Sequence, residues 1–339
     1  MQNSTRRLQA LRSAAIVSFG FVLILSAFLV SDTLLTYGLP NGGLVSAFVS
    51  VGQIIAEATG FTLLSFRFGW RMLAIGGLIG IVGPLIGMYI VHREMAMIGE
   101  TLAHTAFAGV AIGLLVTGAT GIETNYLLPA LIVAILGAFL VEYLAARSSS
   151  YGDVPIAIML SGSFALGTLV ISYGGGLTGI SIEGVLFGNV SVVPPSGGTI
   201  MLVLSAIVIG VVATQYKQLL FITFDEQAAR VAQLNVSAYN SLLIVLTALV
   251  VVGAMQILGV ILVAAMLVVP VAAASQIATS FREALYLAVL IGEASIMVGL
   301  VAAHQAGLPA GGTIVMLGVV CYIAAVVLSD RDLAAISIR

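Results

Sequence analysis

The chain has 339 residues, 60% of them hydrophobic and only 8% Asp, Glu, Lys or Arg. A soluble domain carries roughly 25% charged residues, and the missing charge cannot hide in a core, because a soluble surface must be mostly wettable. With a net charge of −2 and a mean hydropathy of +1.20, the composition describes an all-α polytopic membrane protein. It excludes a soluble enzyme, a nucleic-acid binder and a disordered chain.

A bilayer core needs about 20 apolar residues per helix. The run 14–37 follows Arg6, Arg7 and Arg12, as a secretory signal would, but lacks a small-x-small cleavage site and reads as a retained helix. Residues 42–66 are apolar, yet Gln53, Glu57 and scattered Gly and Ser mark them as an interfacial or re-entrant segment. Nine further spans follow at 72–91, 96–117, 127–146, 155–173, 198–214, 239–254, 257–278, 284–303 and 311–328, which makes ten. The longest polar connection is 215–238.

Charge tests that thread. With the amino terminus in the cytoplasm, ten basic residues lie inside (Arg6, Arg7, Arg12, Arg93, Arg147, Lys217, Arg230, Arg282, Arg331 and Arg339) and two, Arg67 and Arg71, outside. The positive-inside rule requires that sign of bias. Four-residue glycine spacings at Gly76 and Gly80, Gly83 and Gly87, and Gly109 and Gly113 predict close helix contacts.

No chemistry of the soluble kind is visible. Cys321 is the single cysteine, so no intrachain disulfide or thiolate cluster exists. Lys217 is the only lysine and no Gly-Lys pair occurs, so the chain has no P-loop.

Ionisable residues inside spans are costly and mark cavities or partners. Glu100 and His104 are four residues apart, which turns a helix by about 400° and raises it by about 6 Å, so they share one face. A carboxylate and an imidazole suit a borderline divalent ion such as zinc, iron or manganese. They equally suit a plain Glu–His hydrogen bond, and two ligands are fewer than the four to six these ions need. Glu293, mid-span, is a second metal candidate or the partner of a serine. Glu142, Asp153 and Arg147 read as wet ends of a cytoplasmic turn, and His92 and His304 as solvated termini. Pro270 bends the eighth span.

Taken together, these pieces resemble the permease subunits of zinc, manganese and iron ABC importers, from Phe68-Gly69-Trp70-Arg71 to about Leu317. The segment from His92 to His104, HREMAMIGETLAH, is similar to the family's Arg-Arg-Met-Ala-Leu-Ile-Gly-Asp-Ala-Leu-Ser-His. Phe164-Ala165-Leu166-Gly167, Leu186-Phe187-Gly188-Asn189, Phe224-Asp225 and Gly259-Val260-Ile261-Leu262-Val263 with Pro270 also look like family signatures. The chain departs at Glu100, where the family has Asp, at Ala108-Gly109 in place of Pro-Gly, and at Gln233 in place of a glycine.

The resemblance implies a type II importer permease fold: an amino-terminal extension over 1–67, a transmembrane permease domain over 68–328, and a short cytoplasmic tail over 329–339. It implies a homodimer in the plasma membrane that moves a divalent metal ion by alternating access. Glu100 and His104, with Glu293 as a weaker candidate, would hold the ion. Phe224, Asp225, Glu226 and Ala229 would couple to a separate ABC ATPase, with Asp225 as a helix cap. An extracytoplasmic metal-binding protein would deliver the ion. The chain itself would be no enzyme and hold no permanent cofactor. A permease for a metal chelate or vitamin, or a transporter driven by an ion gradient, are the alternatives.

Overall fold

The computed structural model of the chain describes residues 2–39, 42–121, 126–147, 154–173, 186–188 and 195–329. Among these residues there is no strand. The elements are α1 (Gln2–Thr36), α2 (Gly42–Thr59), a 3-10 turn (Thr62–Ser65), α3 (Arg67–His92), α4 (Met97–Thr120), α5 (Leu127–Arg147), α6 (Val154–Tyr173), α7 (Pro195–Phe224), α8 (Glu226–Val231), α9 (Val236–Leu258), α10 (Val260–Ile277), α11 (Phe281–Ala306) and α12 (Ala310–Leu328). Ten of the described helices are long and apolar enough to cross a membrane; α2 is among them, while the apolar stretch of α10 is shorter.

Two boundaries differ from the hydropathy reading. Helix α7 has 30 residues, about 45 Å at 1.5 Å per residue, against a hydrocarbon core of about 30 Å. It therefore continues as helix past Lys217 through the first half of the polar stretch 215–238. Helix α3 starts at Arg67 rather than near residue 72, because both arginines of its first turns are paired within the protein.

The chain folds as two compact units, one of residues 1–88, 190–205 and 265–339, the other of residues 89–189 and 206–264. In the first unit α3 is central and its glycines set the distances. A methyl group at Gly76 would lie 2.8 Å from Ile296 Cγ2, at Gly80 2.9 Å from Glu293 Cα, and at Gly87 2.0 Å from the Leu267 carbonyl oxygen. Helices α10 and α11 thus approach the α3 backbone directly, as small residues permit in lipid. Gly83 makes only ordinary contact, 3.5 Å from the Met266 carbonyl.

Helix α1 is fastened to this unit at both ends. Near its start Arg7 pairs with Glu283 at 2.9 Å and donates to the Ile277 carbonyl at 3.1 Å. Near its end the Asp32 carboxylate, 1% exposed, accepts from Arg67 Nε on one oxygen and from Arg71 Nε on the other, each at 2.9 Å. Thr33 and Thr199 share a further hydrogen bond of 2.8 Å. The two arginines that break the positive-inside split are therefore the two that pair with Asp32. About 25 residues of helix separate Arg7 from Asp32, or roughly 38 Å, so the two clusters mark opposite membrane faces. The Ser329 hydroxyl donates to the Gln276 carbonyl on the Arg7 side, and Phe61 meets His304 edge-on on the Asp32 side.

In the second unit α4 is the buried helix, packed on α5, α6 and α9. A methyl group at Gly109 would lie 2.6 Å from Ala130 Cα, and one at Gly113 3.0 Å from Pro129 Cγ, which seats α5. Thr105 hydrogen-bonds Ser163 of α6 at 3.0 Å.

Removing one member of a buried charge cluster leaves the others unpaired, at about 3–5 kcal/mol. Asp32→Ala is expected to lower the thermal unfolding temperature in detergent clearly, whereas the triple change Asp32→Leu, Arg67→Met, Arg71→Met should recover most of the loss. An unchanged midpoint for Asp32→Ala would show that the cluster does not hold α1.

Candidate functional site

Helix α4 begins after a tight turn in which Glu94 adopts φ 60° and the Met95 N–H donates to the Ile90 carbonyl at 2.9 Å. Glu100 lies in the first turn of α4 and His104 one turn further. The polar residues of this stretch divide into two sets about 100° apart around the helix. Thr101 and Thr105 bond towards α6, to the Ile156 carbonyl at 3.4 Å and to Ser163. Glu100 is exposed and His104 partly exposed on the adjoining face.

The imidazole of His104 is held in place by aromatic contact. Phe164 of α6 meets its ring edge-on at 5.1 Å and stacks on Phe107 at 5.7 Å. A methyl at Gly167 would lie 2.6 Å from the Phe107 ring, so that glycine lets α6 close on α4. His104 Nδ1 is buried with no hydrogen-bond partner. An imidazole in a bundle is normally oriented by a bond at one nitrogen; here the contact with Phe164 orients the ring while Nδ1 stays buried and unbonded.

Among the described residues no group of three His, Cys, Asp or Glu side chains could hold a metal ion. Glu100 and His104 therefore have no third such side chain grouped with them among the described residues. Glu293 belongs to the other unit, on α11, where it packs against Gly80 of α3 with both carboxylate oxygens buried and unpartnered. Glu142, expected as a wet end, accepts from the Ser241 hydroxyl at 2.7 Å. Asp153 falls outside the described residues. His304 is exposed beside Phe61, and His92 lies edge-on to Phe224 at 6.1 Å.

Helix α8 is short and held at three points. The Asp225 carboxylate caps it, accepting from the Ala228 N–H at 2.8 Å, and Glu226 pairs with Arg230 one turn on at 2.6 Å. Ala229 is 0% exposed and packs with Ile222, Leu234, Val236 and Tyr239. Gln233 then closes the helix with φ 62°. The outward surface includes Phe224, Asp225, Glu226, Gln227, Arg230 and Val231, the last 81% exposed.

Beside α8 lies a cavity of about 930 Å³ lined by Arg93, Glu94, Glu142, Arg230 and Asn240 among others. Arg93 crosses its wall, donating to Thr223 Oγ1 at 3.0 Å and Asn240 Oδ1 at 2.6 Å. Burial pushes its pKa down, and the Glu226 carboxylate opposes that shift.

Two family-like fragments far apart in sequence meet in this unit. A methyl at Gly259, which has φ 79°, would lie 2.3 Å from the Gly188 nitrogen and 2.4 Å from the Leu186 carbonyl oxygen. Only glycine fits there.

The sequence pattern of the ABC 3 transport family matches residues 65–329. The chain belongs to the ABC 3 transport family. Among its ABC 3 relatives, the manganese transport system membrane protein MntC of Listeria monocytogenes is 30% identical over 80% of this chain and 94% of that protein. A probable metal transport system membrane protein of Treponema pallidum is 29% identical over 79% and 98%, and a probable iron transport system membrane protein of Haemophilus influenzae 29% identical over 78% and 95%. The solved structure of PsaBC from Streptococcus pneumoniae, in complex with a Fab, superposes with a TM-score of 0.70 at 30% identity, covering 80% of this chain and 95% of that one. An inward-facing metal-chelate-type ABC transporter, 15% identical with a TM-score of 0.54, shares the fold.

The ABC 3 match begins at residue 65, so α1 and α2 precede it. The backbone also accounts for one departure from the family pattern. Gln233 occupies a left-handed conformation that costs an L-residue about 1–2 kcal/mol and glycine little. Gln233→Gly is therefore expected to raise the thermal midpoint, by about 1 kcal/mol of stability, while Ala229→Arg should lower it sharply by forcing a charge into the α8 seat. Equal midpoints for the two variants would contradict this account of α8.

Proposed function

We propose that the chain is the membrane permease of an ATP-driven divalent metal importer, in which Glu100 and His104 hold the ion in transit. The observation that carries the reading is a carboxylate and a packed, partnerless imidazole on one open face of α4, in an ABC 3 chain whose relatives are named for manganese and iron. Glu100 supplies negative charge and His104 a nitrogen lone pair, a donor set suited to manganese or iron. A metal ligand must be unprotonated, so acid competes with the ion at His104. Two ligands hold an ion weakly, which suits a path rather than a store. A second copy of the chain facing the same α4 surface would double the set to four. Glu293, buried and without a hydrogen-bond partner, is kept as a candidate for a later stage of the path.

Energy would enter at α8. The outward Phe224, Glu226 and Val231 form the surface offered to an ABC ATPase, while Ala229 and the Asp225 cap tie that surface to α7 and α9. A metal-binding protein on the opposite side of the membrane would deliver the ion.

Uptake of manganese into vesicles containing the ATPase tests the ion site. His104→Ala should abolish uptake with little loss of folded protein, since alanine suits a helix. Glu100→Gln should impair it nearly as much, and Glu100→Asp should retain it. A purely structural Glu–His contact would instead lower thermal stability in both loss variants. Full uptake by either His104→Ala or Glu100→Gln would remove the pair from the path.

The coupling surface has a separate test. Val231→Asp leaves the Asp225 cap, the Glu226–Arg230 pair and the buried Ala229 untouched, so the thermal midpoint should stay within about 0.5 kcal/mol of the parent, as for surface changes generally. Co-purification of the ATPase should nevertheless be lost. Retained ATPase and normal uptake in that variant would make α8 an ordinary loop helix and favour a transporter driven by an ion gradient.

A further inference from the structure

Helix α2 is long and apolar enough to span a bilayer, yet its contacts keep it at one surface. Asp32 fixes the end of α1 beside the first turns of α3 through Arg67 and Arg71. Between α2 and α3 the chain makes the 3-10 turn, whose Leu64 carbonyl accepts from Trp70 Nε1 at 2.7 Å. The midpoint of α2 packs on this turn: a methyl at Gly52 would lie 1.7 Å from the Leu64 carbonyl oxygen. Phe48 meets Trp70 at 5.0 Å and Phe28 at 5.2 Å. In a helix that crossed the membrane, the midpoint would lie at the bilayer centre. Here it lies level with Leu64 and Trp70, beside the charged cluster that marks a membrane face.

The side chains of α2 sort into three stripes. Val45, Phe48 and Gly52 face α1 and the 3-10 turn. Leu44, Val51 and Ile54 form an apolar stripe turned away from the protein, with Val51 50% and Ile54 66% exposed. Ser50, Gln53 and Glu57 form an exposed polar stripe beside it. At about 100° per residue the stripes are centred roughly 105–140° apart, so three sides of one helix suit three environments. A spanning helix has no use for the polar stripe, and a helix wholly in water has none for the apolar one.

We propose that α2 is an interfacial helix lying in the leaflet on the Asp32 side, extracytoplasmic by the charge rule. Its Leu44–Val51–Ile54 stripe enters the acyl-chain boundary, and its Ser50–Gln53–Glu57 stripe faces water. The occupant of the apolar stripe is bilayer lipid. Helix α1, which α2 touches, is likewise exposed and apolar in its spanning run at Ile16, Val17 and Ile24, where lipid is the environment a spanning helix meets. Such helices sink their apolar side about 5–10 Å below the headgroups. With no Lys or Arg in α2, burial of apolar area drives the contact, so anionic lipid is not required.

Nitroxide labels on single cysteines test this in the full chain, carried in a Cys321→Ser background and reconstituted in phosphatidylcholine vesicles. Leu44→Cys, Val51→Cys and Ile54→Cys should collide mainly with oxygen and report one shallow depth. Ser50→Cys and Glu57→Cys should collide mainly with an aqueous nickel chelate. These positions are exposed, and thermal midpoints matching the parent confirm that the fold is kept. A depth that changes steadily along α2, towards the roughly 27 Å length of its 18 residues, would mean that it spans. Low collision rates with both reagents at 44, 51 and 54 would mean that protein, including a second copy of the chain, covers the stripe. Chelate access at those three positions would place the whole helix in water. Each of these three results overturns the proposal.

Discussion

Helices in a bilayer gain nothing from hiding apolar side chains from one another, because lipid is as apolar as they are. What holds this chain together is therefore backbone contact, and contact of that kind depends on residues with no side chain. Gly80 and Gly87 bring α11 and α10 onto α3, and Gly109 brings α5 onto α4. Once those distances are set, polar groups can be matched at short range: Thr105 to Ser163 in one unit, Thr33 to Thr199 in the other.

Among the described residues, two sets of charged groups stand out. Those that carry the architecture are closed on themselves. Asp32 is shared by two arginines, Arg7 is tied to Glu283, Arg230 to Glu226, and Arg93 to Thr223 and Asn240. Glu100, His104 and Glu293 are left open, with polar atoms that bond to nothing in the chain or that face outward. Closed groups cost little once made, whereas open ones are a standing expense in a low-dielectric medium.

Much of this was legible in the sequence. The charge deficit gave the membrane class, and the glycine spacings gave close contacts at Gly76, Gly80, Gly87, Gly109 and Gly113, with Gly83 the looser exception. The family-like fragments pointed to ABC 3, and the structure explains their dispersal, since Gly259 and Gly188 touch and Phe164 sits on His104. Asp32 was hidden because its partners lie 35 and 39 residues later, and a one-dimensional pattern does not pair residues at such distances. The burial of Ala229 was hidden because alanine fits either side of a short helix. The true length of α7 was hidden because a helix leaving the bilayer loses its apolar signature before it loses its hydrogen bonds.

The fastening of α8 has a mechanical meaning. Within six residues it has a capped start, a wholly buried alanine at its centre and a left-handed residue just past its end. Phe224, the last residue of α7, is separated from α8 only by Asp225, and Val236, the first residue of α9, packs directly on Ala229. A segment so attached has no slack to absorb a push by bending. Load applied to its outer surface passes into the feet of two long helices, one of which, α9, packs along the helix that carries Glu100 and His104. The α8 end of this unit is built as a stiff linkage, and its response to force is displacement rather than deformation.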